Sequence, residues 1–325
     1  MHKDSGNLLS VIVPVFDESD NLDPFVESLL AVMKQEGYRF ELVFVNDGST
    51  DDSAEKLDAI AKREPHCKVV HFRRNFGQTA AMMAGLDYSK GDIVIPIDAD
   101  LQNDPADIPR LLAKLDEGYD LVSGWRKHRK DAKLTRNLPS WLANKLISWI
   151  SGVHLSDYGC TLKAYRRSVV SDLKLYGEMH RFLPIYASWS GARTTEIPVR
   201  HHPRVHGQSK YGLKRVLKVP LDLVVVKFLS NYAQKPIYVF GGFALLNGFA
   251  ALVTFVVMVY FKFWGDKSFI ATPLPVLLAM FVLMGFISLL MGLIAELLVR
   301  TYHESQDKKT YLVKQTVNFA ADDQV

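Results

Sequence analysis

Apolar residues follow two regimes along this chain. Up to about residue 235 they come in short bursts separated by polar turns, and beyond it in two long tracts. The bursts at 8–16 (LLSVIVPVF), 40–45 (FELVFV), 68–72 (KVVHF) and 93–97 (IVIPI) are rich in β-branched and aromatic residues, the composition of strands buried on both faces. Between them the apolar spacing turns helical. Phe25, Leu29, Leu30 and Met33 mark a helix over about 22–36, Leu57 and Ile60 one opened by Asp51 and Asp52, and a third fits 77–88. The run 120–124 (DLVSG) reads as a further strand end. Strand and helix alternating at these intervals predict an α/β fold, a mostly parallel sheet covered by helices. Such sheets bind ligands at the carboxyl ends of their strands.

That rule gathers the polar residues after each strand into one expected crevice. Glu18, Asp47, Asp98 and Asp100 all follow strand ends, and their mutual repulsion calls for a cation or a donor-rich ligand. Asp98 and Asp100, spaced i, i+2, lie on one side of an extended backbone, with the amide of Gln102 just beyond. These are hard oxygen donors, suited to Mg²⁺ or Mn²⁺ that also holds a diphosphate. Taken singly, an Asp-x-Asp pair also fits a solvated strand end or a helix cap, and Asp47-Gly48-Ser49 an ordinary turn.

Composition narrows the classes. The 325 residues leave room for about two domains by the usual length prior. A formal charge of +4 is too small to argue for nucleic acid as a partner. Cys67 and Cys160 form neither a metal spacing nor a disulfide framework, which fits a reducing compartment. The start of the chain lacks the apolar core and cleavage site of a signal peptide, so the soluble part is expected in the cytoplasm.

Three further stretches carry basic groups. Arg126, Lys127, Arg129 and Lys130 follow the strand end at 120–124, where they suit a solvated face, a diphosphate or an anionic headgroup. Residues 139–150 (PSWLANKLISWI) set Trp141, Lys145 and Trp149 at helical spacing, which suits either a core or, since Lys145 can snorkel, a membrane interface. The stretch 201–212 (HHPRVHGQSKYG) interrupts Arg204, His206 and Lys210 with Gly207, Ser209 and Gly212, a basic loop able to close on phosphate. Its histidines have no cysteine or acid spaced for zinc. Asp157, in SDYGC, is a candidate base or a turn aspartate.

The motifs VPVFDE, VNDGSTDDS, RRNFGQTAAMMAG and DADLQ, in this order, resemble the nucleotide-sugar half of glycosyltransferase family 2, with its GT-A fold. The resemblance implies that Pro14, Phe16 and Glu18 lie around the nucleoside and that Asp47 bonds the base or ribose. It further implies that Gly77 permits close approach to the donor and that Asp98, Asp100 and Gln102 hold the metal and diphosphate. DYGC and R-x-x-G-x-S-K-Y resemble its polyprenyl-phosphate branch, the bactoprenol glucosyltransferases, undecaprenyl-phosphate aminoarabinose transferases and dolichol-phosphate mannose synthase. By that match Arg204, Ser209 and Lys210 clamp the acceptor phosphate and the donor diphosphate. Many family members carry an acidic pair where this chain has Asp157 alone, so Asp157 is expected either to act as base or to orient a basic group. A homo-oligomer, in the form of a tetramer, is implied as well.

The last third adds the membrane. The spans 237–261 and 273–295 are each long enough to cross a bilayer core of about 30 Å. Lys214, Arg215, Lys218 and Lys227 make 216–228 a basic amphipathic segment. Basic residues outside both spans place the two chain ends on the cytoplasmic side, and Glu296 sits at the exit of the second span. The expected division is a transferase domain at 1–212, an interface segment at 213–235, a two-helix transmembrane hairpin at 236–300 and a cytoplasmic tail at 301–325. The expected function is metal-dependent, inverting transfer of a glucose-like hexose from a nucleoside diphosphate sugar, UDP-linked, to undecaprenyl phosphate at the bacterial inner membrane. A processive polysaccharide synthase lacks its longer bundle and its Q-x-x-R-W motif here. A non-catalytic nucleotide-sugar-binding protein would be expected to lose the metal ligands. A dinucleotide oxidoreductase would need G-x-G-x-x-G where VPVFDE stands.

Overall fold

A computed structural model describes residues 6–127, 145, 147–148, 151–171, 179–203, 237–265, 268–304 and 310–319, without the side chains of 296 and 299–304. The chain forms two compact units, Met1–Leu223 together with Lys309–Val325, and Val224–Lys308. In the first, β1 (Leu8–Val15), α1 (Ser19–Gln35), β2 (Arg39–Asn46), α2 (Ser53–Arg63), β3 (Cys67–Phe72), α3 (Gln78–Tyr88) and β4 (Ile93–Pro96) alternate as the apolar pattern predicts. Then follow α4 (Ile108–Asp116), β5 (Leu121–Trp125), β6 (Lys163–Arg166), the single turn α5 (Arg167–Val170), α6 (Leu183–Trp189) and β7 (Thr194–Pro198).

The sheet order is β7-β5-β6-β4-β1-β2-β3-β8, where β8 is Val313–Val317. β6 and β8 are antiparallel to their neighbours, and every other pairing is parallel. The parallel strands therefore end at one edge, and the two reversed strands begin there.

Side chains alternate across this sheet as strand geometry requires. Leu9, Val11, Val13 and Val15 pack with Phe25, Leu29 and Met33 of α1 on one face. Ile12 packs with Met82 of α3 and Leu183 of α6 on the other, where Val43 and Val45 of β2 also meet α3. With both faces covered, the strands read as continuous apolar runs.

The helix Leu274–Glu304 runs past residue 301, and residues 310–319 belong to the first unit. There β8 pairs with β3, Tyr311 stacks on Phe72 at 5.1 Å and donates a hydrogen bond to Asp87 (2.7 Å), and Asn318 caps the carbonyls of Ala61 and Cys67. The segment is too short and polar to read as a strand alone. β3 supplies the pairing edge that makes it one.

The second unit holds α7 (Ile237–Phe263) and α8 (Leu274–Glu304). Ile237–Phe263 and Leu274–Ala295 are long and apolar enough to cross a membrane. Most of their apolar side chains face outward, Leu245 being 78% and Phe249 69% exposed, a surface that suits lipid and not water. The polar Asn247 and Thr254 bond carbonyls one turn back in their own helix, those of Phe243 and Ala250, both at 2.8 Å. The amphipathic segment 213–235 lies outside the described residues, as does 139–150 apart from Lys145, Ile147 and Ser148, which are helical.

Candidate active site

The loops at the shared strand edge are sewn together by short polar side chains. After β1, Asp17 takes a left-handed conformation (φ 49°), and its Oδ1 accepts a hydrogen bond from the Thr50 amide at 2.7 Å. The amides of Asp17, Glu18 and Ser19 donate to Ser49 Oγ, Ser53 Oγ and Asp51 Oδ2 at 3.0–3.1 Å. The first two crossover loops thus form one wall, with Pro14 and Phe16 half-buried at its base and Glu18 accepting from Asn21 Nδ2 at 2.6 Å.

Asp47 closes the wall against the third loop. Its two oxygens accept the amides of Phe76 (2.7 Å) and Gly77 (2.9 Å), and burial raises its pKa despite them. Both oxygens therefore shape the β3–α3 loop, a use the base-or-ribose expectation did not include. Gly48 has φ +67°, and a Cβ there would lie 2.3 Å from the Arg74 carbonyl carbon, so only glycine lets these loops touch. Gly77 caps α3 with φ +95° and open space around its missing side chain, compatible with close approach of a ligand.

Beyond β4 the chain turns through the acidic tip. Asp98 Oδ1 accepts from Gln78 Nε2 at 3.0 Å, and Oδ2 accepts from Thr161 Oγ at 2.5 Å. Asp100 is 7% exposed, and its Oδ1 accepts the amide of Gln102 at 3.1 Å. Between them Leu101 holds φ +60°, a region strained for leucine, while its side chain packs on the main core. Burial, and then the charge of Asp100, push the Asp98 pKa up to about 6. A carboxylate pair that resists double ionisation is a fit for a divalent cation. Asp98, Asp100 and Gln102 offer hard oxygens for part of a coordination sphere, and a bound diphosphate and water would complete one. The described residues contain no larger His, Cys, Asp or Glu group that could hold a metal.

The segment entering the basic loop is fastened to this tip. His202 donates its amide to the Gln102 carbonyl at 2.9 Å, and His201 bridges Asn103. Arg200 pairs with Asp104 at 3.0 Å and gives its amide to Asp107 at 2.6 Å. The stretch 204–210, with Arg204, Ser209 and Lys210, thus follows in sequence on a point pinned to Gln102. Those three residues, with His206, Arg129 and Lys130, lie outside the described residues.

Asp157 is already engaged. Its carboxylate accepts Arg126 Nε at 2.6 Å, Arg126 Nη2 at 2.9 Å and the Gly159 amide at 3.0 Å. Burial raises its pKa, but hydrogen bonds and charge from Arg126 outweigh burial and hold it below the usual carboxylate range. The carboxylate is thus occupied by Arg126 and a backbone amide. Sequence reasoning missed Thr161, Gln78 and the specific partnership of Arg126. Thr161 precedes β6, a strand running backwards, so no rule about residues after strand ends points to it.

The family model for glycosyl transferase family 2 matches residues 10–174, which contain this whole arrangement except the 200–202 segment. The chain belongs to glycosyltransferase family 2. A dodecaprenyl-phosphate galacturonate synthase from Rhizobium johnstonii is 40% identical over 94% of this chain and 92% of its own length. An undecaprenyl-phosphate 4-deoxy-4-formamido-L-arabinose transferase from Edwardsiella ictaluri is 38% identical over 95% and 94%. Among solved structures, glucosyl-3-phosphoglycerate synthase from Mycobacterium tuberculosis, in complex with Mn²⁺, UDP and phosphoglyceric acid, superposes with a TM-score of 0.52. It covers 70% of this chain and 79% of its own at 19% identity, a likeness of fold. The chain is thus a family 2 glycosyltransferase with a GT-A-like mixed sheet and two apolar helices able to span a membrane.

Proposed function

We propose that this glycosyltransferase moves a hexose-type sugar from a nucleoside diphosphate, UDP in particular, to a polyprenyl phosphate at the cytoplasmic face of the bacterial inner membrane. The observation that carries the reading is the acidic tip pinned to the root of the basic loop through Gln102 and His202. One end of this junction suits a cation and a diphosphate, and the other a second phosphate. The similarity to two lipid-phosphate sugar transferases over nearly the full chain supports the acceptor class, and the outward apolar faces of α7 and α8 support residence in the membrane that holds it.

In the proposed reaction a phosphate oxygen of the lipid attacks the anomeric carbon as the bond from that carbon to the nucleoside diphosphate breaks. Configuration inverts, and the products are the lipid-linked sugar and the free diphosphate. A Mg²⁺ or Mn²⁺ ion held by Asp98, Asp100 and Gln102 would supply charge for the departing diphosphate. The attacking phosphate is already an anion, so no proton has to be removed. Asp157 accordingly holds Arg126 in place, and Arg126 with Arg204, Ser209 and Lys210 offsets the repulsion between two anions brought together. Pro14, Phe16 and Glu18 line the nucleoside side, while Asp47 and Gly77 set the loop beside it.

The test is transfer of radiolabelled sugar from several nucleotide sugars to undecaprenyl phosphate, with and without chelator. A product bearing one sugar per lipid, lost on chelation and in Asp100→Ala, is expected. Long polymer would point to a processive synthase, and donor binding without turnover to a non-catalytic protein.

A further inference from the structure

Beside the acidic tip lies a cluster that the proposed reaction leaves without a role. Lys163, at the start of β6, is 3% exposed. Among the described residues its ammonium meets only backbone carbonyls, those of Tyr158 (3.4 Å) and Cys160, and no carboxylate pairs with it. Tyr165, two residues on and so on the same face of the strand, is 1% exposed, and its hydroxyl has no hydrogen-bond partner among the described residues. His180 bonds Thr79 Oγ at 2.6 Å through Nδ1 and receives the Nε–H of Arg181 on Nε2 at 3.3 Å. Burial makes that histidine neutral, pushing its pKa down to about 3, so Arg181 remains the charged member of the pair.

These side chains line one small cavity with Thr161 also in its wall, and Thr161 is the residue whose hydroxyl bonds Asp98. The cavity therefore begins one side chain away from the expected diphosphate. The Lys163 ammonium feels the carboxylates of Asp98 and Asp157 only from beyond ion-pair reach, and a buried phenol without a partner is costly, so an anionic acceptor group arriving with the substrate answers both. The free volume, about 20 Å³, is a little more than one water needs, so it admits the end of a ligand and not a ring.

Three anions are conceivable in this reaction. The diphosphate has the cation site, and the acceptor phosphate has Arg126 and the basic loop. What remains is an acid on the sugar itself. We propose that Lys163, Tyr165 and Arg181 form the subsite for a carboxylate on the donor sugar, so that the transferred group is a hexuronic acid and not a neutral hexose. This rests on the glycosyl-transfer reading and narrows it. A planar carboxylate offers two oxygens to an ammonium, a phenol and a guanidinium, whereas a hydroxymethyl group offers one and carries no charge.

The experiment uses the full chain in lipid nanodiscs. Binding of UDP, UDP-galacturonate, UDP-glucuronate, UDP-galactose and UDP-glucose is measured by calorimetry, and transfer to undecaprenyl phosphate is measured in parallel. A preference of at least about 100-fold in kcat/KM for a uronate over its parent hexose is expected, a floor below the roughly 10⁴-fold discrimination a buried polar site can reach against a ligand lacking its partner group. Tyr165→Phe, which removes one oxygen, should reduce that ratio, and Lys163→Met should reduce it further. Equal use of hexose and uronate, or variants that lower both donors alike, would overturn the subsite while leaving glycosyl transfer standing. Absence of transfer from every donor would overturn the transfer reading, and the calorimetric preference would still decide the subsite. No binding of any UDP compound would remove both.

Discussion

Replacing Asp157 by asparagine separates an orienting residue from a catalytic base. The substitution preserves shape but removes the charge that faces Arg126, whose side chain is 13% exposed and donates to Asp157 at 2.6 and 2.9 Å. Breaking a buried ion pair from one side costs about 3–5 kcal/mol, because the remaining charge stays desolvated. For a unit of this size that corresponds to a fall in Tm of roughly 10 °C, readable by thermal unfolding of the detergent-solubilised enzyme. The pH dependence has a definite sign. The folded-state pKa is depressed, so the carboxylate's contribution is complete above the unfolded value near 4 and is lost as pH falls through the lower folded value. The deficit of Asp157→Asn relative to wild type should therefore be constant near neutrality and shrink on acidification. In kinetics, Asp157→Asn and Arg126→Gln should be strongly non-additive, with a coupling of about 1–3 kcal/mol, because each removes the same arrangement. Additive losses, together with unchanged stability in Asp157→Asn and disappearance of an acidic limb in the pH–rate profile, would refute the orienting role and restore Asp157 as a base.

Three further outcomes are expected. Because the Asp98 pKa is raised to about 6, the metal-free protein binds a proton there that the unfolded chain releases near pH 4, and its stability from this group falls as pH rises through that interval. The gain in Tm on adding Mn²⁺ should accordingly grow between about pH 5 and 7, and a gain independent of pH would count against Asp98 as a ligand. Gly48→Ala places a methyl 2.3 Å from backbone of the neighbouring loop, so it should cost about 2 kcal/mol or more and raise the KM for donor, measured by unfolding and by transfer rates. Tyr311→Ala removes a 2%-exposed ring stacked on Phe72 and should destabilise the sheet unit by about 3–5 kcal/mol in denaturant titration.

The parts legible in the sequence are those whose signal is local. β1 to β4 and their helices announce themselves because strands covered on both faces need unbroken apolar runs, and the acids after them fall at one edge because parallel strands share a direction. β6, β7 and β8 carry no such signal. Lys163–Arg166 is held by pairing with β4 and β5, Thr194–Pro198 by β5, and Val313–Val317 by β3, so neighbours distant in sequence define them. The site divides in the same way. Asp98 and Asp100 are readable from spacing, whereas Thr161 and Lys163 reach the tip only because β6 is reversed and starts where the others finish. Asp47 shows the limit from the other side. The resemblance puts it at the base or ribose, whereas its bonds to the Phe76 and Gly77 amides depend on a register between loops that no motif encodes.

Strand β8 closes an edge of the sheet. Without it β3 would expose a row of unpaired backbone groups beside the loop that Asp47 holds, and that loop would be fastened from one side only. Leu312 accepts the amide of Arg73 at 3.1 Å, the first bond past the end of β3, so the fastening reaches the β3–α3 loop itself. Loss of β8 should therefore weaken binding of a nucleoside diphosphate sugar, measured by calorimetry.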